Sequence, residues 1–311
     1  MKLLKKLFVI ILLVFSFALF GCKKEEKKEE PRNLKVLLPA GTPLLSVGGL
    51  IGNSNYTFEV VNGQDPLSAA FIAGEYDLII APINLGAKLY LAGKSNYKLE
   101  AVLTTNNTYI ASYDKLESLE DLKDKKILAY GVNSSPWLAL NALNDKYNLN
   151  LTIETQSSVA DVATIFAKGE SDYDLFLLAE PNVTTLKEKQ KKEFNVIDVA
   201  SFLKDDISFI CQACLFVNAN SNVTASELKV FEDNIKSMNE KPEEYAKKVA
   251  DKNDFFRNLG EDIIKKAIPK CNINYLKAKN NLTDINKFFD LLNRYSPKVL
   301  DGKTPDEGLY N

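Results

Sequence analysis

Short apolar runs alternate along this chain with helical stretches of about ten residues, and they do so as two series with the same order of elements. In the first series, LKVLLP, YTFEVV and DLIIAP read as strands. TPLLSVGGLIG reads as a helix opened by Thr42 as N-cap with Pro43 at its first position, DPLSAAFIAG as one opened by Asp65-Pro66, and NLGAKLYLAG as a third. The second series runs KILAYG, a helix from Ser135 through Tyr147, LTIETQ, a helix from Val159 to Lys168, DLFLLA, and a helix from Asn182 to about Gln190. AGEYDLIIAPINLGAKLY, from Ala73, and AKGESDYDLFLLAEPNVTTL, from Ala167, hold the same place in each. Strands separated by helices make βαβ units, and strands without polar alternation fit a sheet covered on both faces. The expectation is an α/β protein of two lobes, each a mostly parallel sheet flanked by helices.

After the second series comes KDDISFICQACLFVNAN, a long strand-like segment, and then helical sequence. TASELKVFEDNIKSMN places Leu228, Phe231, Ile235 and Met238 on one face, and PEEYAKKVADK, DFFRNLGEDIIKKAI and LTDINKFFDLLNRY continue in that style. Helices without strands of their own need a sheet to cover, and the first lobe is the one with room. The return assigns 34–108 and 219–311 to the first lobe and 109–218 to the second, with two extended crossings, near Tyr109 to Tyr113 and near Leu215 to Asn218.

At the N-terminus, Lys2, Lys5 and Lys6 precede an apolar run from Leu7 to Phe20 that ends at Gly21-Cys22. The run is short for a membrane span, so residues 1–21 read as an export signal, with an uncleaved anchor helix as the alternative. Residues 22–33, which include KKEEKKEEP, have too little to bury and read as a solvated tether. Loss of the signal makes the formal charge of −2 more negative by three lysines. An acidic chain with scattered lysines carries no electrostatic footprint for nucleic acid. Cys211 and Cys214 are spaced C-x-x-C, yet in a strand residues three apart face opposite ways. Buried thiols are the first reading of these two and Cys271; a disulfide from Cys271 to one of the pair, or a metal, are the others, and the chain has no histidine to complete a zinc set.

Ligands of open α/β sheets sit beyond the carboxyl ends of the strands, where helix N-termini converge. That rule selects Gly41, Thr42, Asn62, Pro82, Asn84 and the stretch Thr104 to Asn107 in the first lobe, and Asn133, Ser134, Ser135, Trp137, Glu180 and Asn182 in the second. Each polar member is equally suited to capping a helix. Trp137, the one tryptophan, can stack on a ligand or pack as core, and Glu180 can accept from an amine or ring N–H or cap the helix at Asn182. None of the arginines, Arg32, Arg257 and Arg294, lies near a strand end, which weighs against a clamped carboxylate and towards a neutral or cationic heterocycle. Without histidine, a G-x-S-x-G or a phosphate-binding glycine loop, catalysis has little support, and an enzyme using Glu180 or a cysteine is the alternative.

APINLGAKLY, AYGVNSSPWLALNAL, AEPNVTTL, KKAIPKCNINYLKAKNNL and SPKVLDGKTPDEGLYN, in that order, resemble the solute-binding lipoproteins of ABC importers, in the branch related to binders of nitrate, alkanesulfonates, taurine and thiamine-pyrimidine precursors. LFGC resembles a lipobox, with Phe20 where a smaller residue is usual. The resemblance implies a type II periplasmic-binding-protein-like fold with two crossover strands, lipidation at Cys22, capture of a small solute by lobe closure, and delivery to an ABC permease. By position it also implies cleft contacts at Gly41-Thr42, Pro82 to Leu85 (which adds Leu85), Asn133 to Trp137 and Glu180 to Asn182. Cys271-Asn272 belongs to the pattern as first-lobe structure. Taken together, these readings predict a monomer, tied to the membrane by its N-terminal lipid on the extracytoplasmic side, with no cofactor, metal or nucleic acid. A solute-sensing lipoprotein would have the same cleft.

Overall fold

The computed structural model describes residues 32–169, 171–190 and 192–311; the expected signal, lipidated Cys22 and tether up to residue 31 lie outside them. Asn33, assigned above to the tether, belongs instead to the compact unit Asn33–Asn311. Its amide donates to the Ser54 carbonyl (2.7 Å) and its side-chain oxygen accepts from the Thr57 hydroxyl (2.7 Å).

The first series runs β1 (Leu34–Pro39), α1 (Thr42–Val47), β2 (Tyr56–Val61), α2 (Asp65–Ala73), β3 (Leu78–Pro82), α3 (Ile83–Leu91) and β4 (Tyr97–Thr104). The second runs β5 (Tyr109–Ser112), β6 (Lys126–Tyr130), α4 (Ser135–Lys146), β7 (Thr152–Gln156), α5 (Val159–Lys168), β8 (Leu175–Leu178), α6 (Asn182–Lys189), β9 (Asn195–Asp198) and α7 (Ala200–Leu203). The chain then returns through β10 (Ala213–Asn218), α8 (Ala225–Glu240), α9 (Pro242–Val249), α10 (Asp254–Leu259), α11 (Glu261–Ala267), β11 (Ile273–Lys277) and α12 (Leu282–Tyr295).

The strands form two sheets, ordered β11-β4-β10-β3-β1-β2 and β7-β6-β8-β5-β9. Both are mixed rather than mostly parallel. The βαβ pairs β1–β2, β1–β3, β6–β7 and β6–β8 are parallel as expected. The strands beside the crossings, β10 on β3 and β4 and β5 on β8 and β9, are antiparallel, because the chain enters each sheet from the other lobe.

The sheet order corrects both crossings. β5 already pairs in the second sheet and β10 sits inside the first, so Leu215 to Asn218 is a central strand and the extended links are the residues just before each. Only Ala213–Asn218 of the long apolar segment is strand, and ahead of it Cys211 bridges Thr105 of the outward link. The Asn106 amide donates to the Ile210 carbonyl (3.2 Å) and the Gln212 amide to the Thr104 carbonyl (3.0 Å). The C-terminal part is not purely helical either, since β11 adds an edge strand to the first sheet.

One face of the first sheet buries Leu34, Val36, Leu38, Leu78 and Ile80 against Leu228, Phe231, Ile235 and Met238 of α8, as the helical spacing requires. The other face, with Leu37, Ile79 and Phe216, belongs to a core that continues into the second lobe through Leu138 and Leu143 of α4. α12, expected only to cover the first lobe, packs on α4 and adds Ile285, Phe288, Phe289 and Leu292 to that shared core. At its end the Tyr295 hydroxyl donates to Asp145 (3.0 Å) and the Ser296 hydroxyl to the Asn133 side-chain oxygen (2.7 Å). Cys211, Cys214 and Cys271 are buried free thiols, and burial pushes all three above the ordinary thiol range. Among the described residues no helix is long and apolar enough to cross a membrane.

Candidate functional site

Four strand-to-helix turns converge where the lobes meet. After β1, Gly41 turns the chain with φ of 90°, a left-handed conformation that a side chain would oppose, and it is the N-cap of α1. Thr42, expected in that role, is the first residue of the helix and its hydroxyl is free to reach across the cleft. After β6, Asn133 takes φ of 65°, which asparagine tolerates, and Ser134 caps α4 by accepting from the Trp137 amide (3.4 Å). Pro82 precedes α3 and Pro181 precedes α6.

Between these turns lies a cavity of about 220 Å³. The first lobe lines it with Pro39 to Pro43, Pro82, Thr104 and Ala213, and the crossings with Asn107 and Gln212. The second lobe contributes Tyr130, Ser134, Ser135, Pro136, Val159 and Ala179 to Asn182. A cavity of roughly 150 Å³ holds benzene, so this one has room for about one substituted ring.

The lobes are tied across the cavity through Asn107. Its amide group donates to the Glu180 carbonyl (3.0 Å) and to the Thr42 hydroxyl oxygen (3.3 Å), and its oxygen accepts from the Glu180 N–H (2.7 Å). The Thr42 hydroxyl donates to the same carbonyl (3.4 Å). Gln212 braces the crossings: its side chain accepts from the Asn107 N–H (3.1 Å) and donates to the Asn107 carbonyl and the Thr108 hydroxyl (3.1 Å each).

Glu180 is 2 % exposed, and its carboxylate accepts from the Thr184 N–H and hydroxyl, both at 2.9 Å. It therefore satisfies a first-turn N–H of α6, whose N-cap is Pro181, while lining the cavity. Burial raises its carboxyl above the ordinary range, opposed by the Thr184 bonds and by Lys270 and Lys187.

Of the residues selected from the sequence, Gly41, Thr42, Pro82, Thr104, Asn107, Ser134, Ser135, Glu180 and Asn182 line the cavity. Asn62 does not: it follows β2, an edge strand, and is exposed away from the convergence. Asn84 and Leu85 are buried in the first turn of α3, where the Asn84 amide donates to the Asn133 carbonyl (3.2 Å) across the lobes. Asn133 itself is exposed, and Trp137 is half-buried against the shared core. Beyond Pro136 and Pro181, which fall in the implied ranges, sequence reasoning missed the apolar wall of Pro39, Ala40, Pro43, Tyr130, Val159 and Ala179, together with Gln212 and Ala213. The available signal was position beside a strand end, which these residues share with the polar ones.

Neither a protein-family model nor a curated protein sequence matches the chain. Solved structures do. An ABC transporter protein from Parabacteroides distasonis is 17% identical over 89% of this chain and 98% of that one, with a TM-score of 0.74. The periplasmic aliphatic sulphonate binding protein SsuA from Escherichia coli is 14% identical over 89% and 93%, with a TM-score of 0.63. The ligand-binding component of an ABC-type import system from Staphylococcus aureus, solved with zinc bound, is 14% identical over 89% and 98%, with a TM-score of 0.61. The chain therefore has the two-lobe, periplasmic-binding-protein-like fold of the substrate-binding components of ABC transporters.

Proposed function

We propose that this chain is the extracytoplasmic solute-binding protein of an ABC importer, held at the membrane through a lipid on Cys22 and handing a small organic solute to a permease. The observation that carries the reading is the cavity of about 220 Å³ at the meeting of the two lobes, where both sheets present their strand ends. Among the described residues, two short links braced by Gln212 connect the lobes along the chain, so the solute enters and leaves as the lobes part and close about them. The residues proposed to meet it are Gly41, Thr42, Pro82, Thr104, Asn107, Ser134, Ser135, Glu180 and Asn182, with Gln212 added from the cavity wall. No chemical step is assigned to them.

The test is native mass spectrometry of the full chain in mild detergent, followed by thermal-shift screening and recovery of the bound solute. Binding to the folded state raises stability by about 2.7 kcal/mol at a hundredfold excess over Kd. A solute recovered unchanged, with a smaller radius of gyration on binding, is the expected result. A solute that returns chemically altered sinks the reading in favour of an enzyme on the same fold.

A further inference from the structure

Among the described residues that line the cavity, Glu180 is the one charged group, and no lysine or arginine joins it. An anion in such a site must be held by helix N-termini, and here several of their donors are removed or occupied. Pro43 and Pro136 stand at the second positions of α1 and α4, and Pro82 and Pro181 just ahead of α3 and α6, so each mouth lacks an N–H. Four further first-turn amides are engaged: Ile83 donates to the Gln212 carbonyl (3.1 Å), Asn182 to Ala179 (2.9 Å), Thr184 to the Glu180 carboxylate and Trp137 to the Ser134 hydroxyl. An incoming anion would meet a buried carboxylate and prolines.

A positive counterpart sits in the wall. Thr104, at the end of β4, is 3 % exposed and lines the cavity, and its hydroxyl oxygen has no hydrogen-bond partner. A buried polar group left unpaired costs about 1–3 kcal/mol, which a solute that pairs with it would recover. The other polar side chains at this end are engaged: Asn107 with Thr42 and Glu180, and Gln212 with both crossings.

Resting on the solute-binding reading, we infer that the cavity takes a solute without negative charge, of about one substituted ring, whose hydrogen-bonding group is read by Thr104, and discriminates against anions of the same shape. The apolar wall then supplies affinity by area, and Thr104 supplies orientation.

The experiment uses the full chain in detergent and shape-matched probes: nicotinamide with nicotinate, uracil with orotate, and benzamide with benzoate and benzylammonium. Affinities are compared for wild type, Thr104→Val, which keeps the shape and removes the hydroxyl, and Thr104→Ser, which restores it. The expected result is a neutral or cationic member bound at least about tenfold more tightly than its anionic partner, a loss of about tenfold in the valine variant and recovery in the serine variant. An anion that binds as tightly as the neutral member, or a valine variant with wild-type affinity and unchanged melting temperature, overturns the inference and leaves the binding reading intact. If no probe binds and native mass spectrometry finds no solute carried from expression, both fall.

Discussion

The first turns of α3 and α6 each hold an asparagine, Asn84 as the second residue and Asn182 as the first, after equivalent strands, yet two residues on they part company. In the first lobe the residue is Gly86, and a Cβ built there would stand 2.3 Å from the ring of Phe216. The glycine lets that fully buried ring, which also meets Phe71 edge-on at 5.2 Å, lie directly on the helix. In the second lobe the residue is Thr184, whose N–H and hydroxyl hold the Glu180 carboxylate. One position packs β10 onto its helix and the other keeps a charge at the cavity wall. A repeated order of elements thus carries the backbone path into both lobes and leaves the chemistry of each turn to single side chains.

The sharpest way to break the comparison is to make the lobes alike. Gly86→Thr drives a branched side chain into Phe216, whose surroundings leave no room to retreat, and should cost about 3 kcal/mol in urea unfolding, the upper end of the usual overpacking range. A cost below about 1 kcal/mol would mean that α3 can lift off β10, and the contrast would lose its structural basis. Thr184→Val removes one of two donors to a buried carboxylate and should cost about 2 kcal/mol.

A smaller effect appears only with pH. Because the Glu180 carboxyl is raised above 4.5 in the folded chain, its contribution to stability is full below that value and is lost as pH rises through the folded pKa. The stability of wild type relative to Glu180→Gln should therefore fall as pH rises above 4.5, and an increase would reverse the assigned sign. Smallest of all is Lys266→Ala, which breaks an ion pair to Glu188 between α11 and α6 at 2.6 Å. With side chains 49% and 37% exposed, the pair is screened, and less than about 0.5 kcal/mol should be lost.

Periodicity made the scaffold legible. The face of Leu228, Phe231, Ile235 and Met238 and the bounds of α5 follow from spacing that any buried helix needs, and the two series follow from apolar runs that a covered sheet needs. The return crossing was hidden because ISFICQACLFV is apolar throughout. Ile210 and Cys211 in the link are as deeply buried as Leu215 and Phe216 in the strand, so hydrophobicity could not say where pairing begins. Asn62 was misjudged because strand order is a non-local property, and nothing near Asn62 marks β2 as an edge. Glu180 could be picked out because a carboxylate after DLFLLA is costly and needs a reason. Prolines and alanines need none, so the wall they form could be recognised only once the two lobes were seen together.

The position of β10 bears on how the molecule is made. It lies between β3, which ends at Pro82, and β4, so the six-stranded sheet cannot be completed until the entire second lobe has been synthesised. The five strands of that lobe, from Tyr109 to Asp198, are contiguous, and their pairing waits on nothing downstream. The second lobe is thus the natural first unit to fold on an emerging chain. The first holds an open sheet until β10 arrives, and its unpaired strands are the part of the nascent protein most exposed to misassociation.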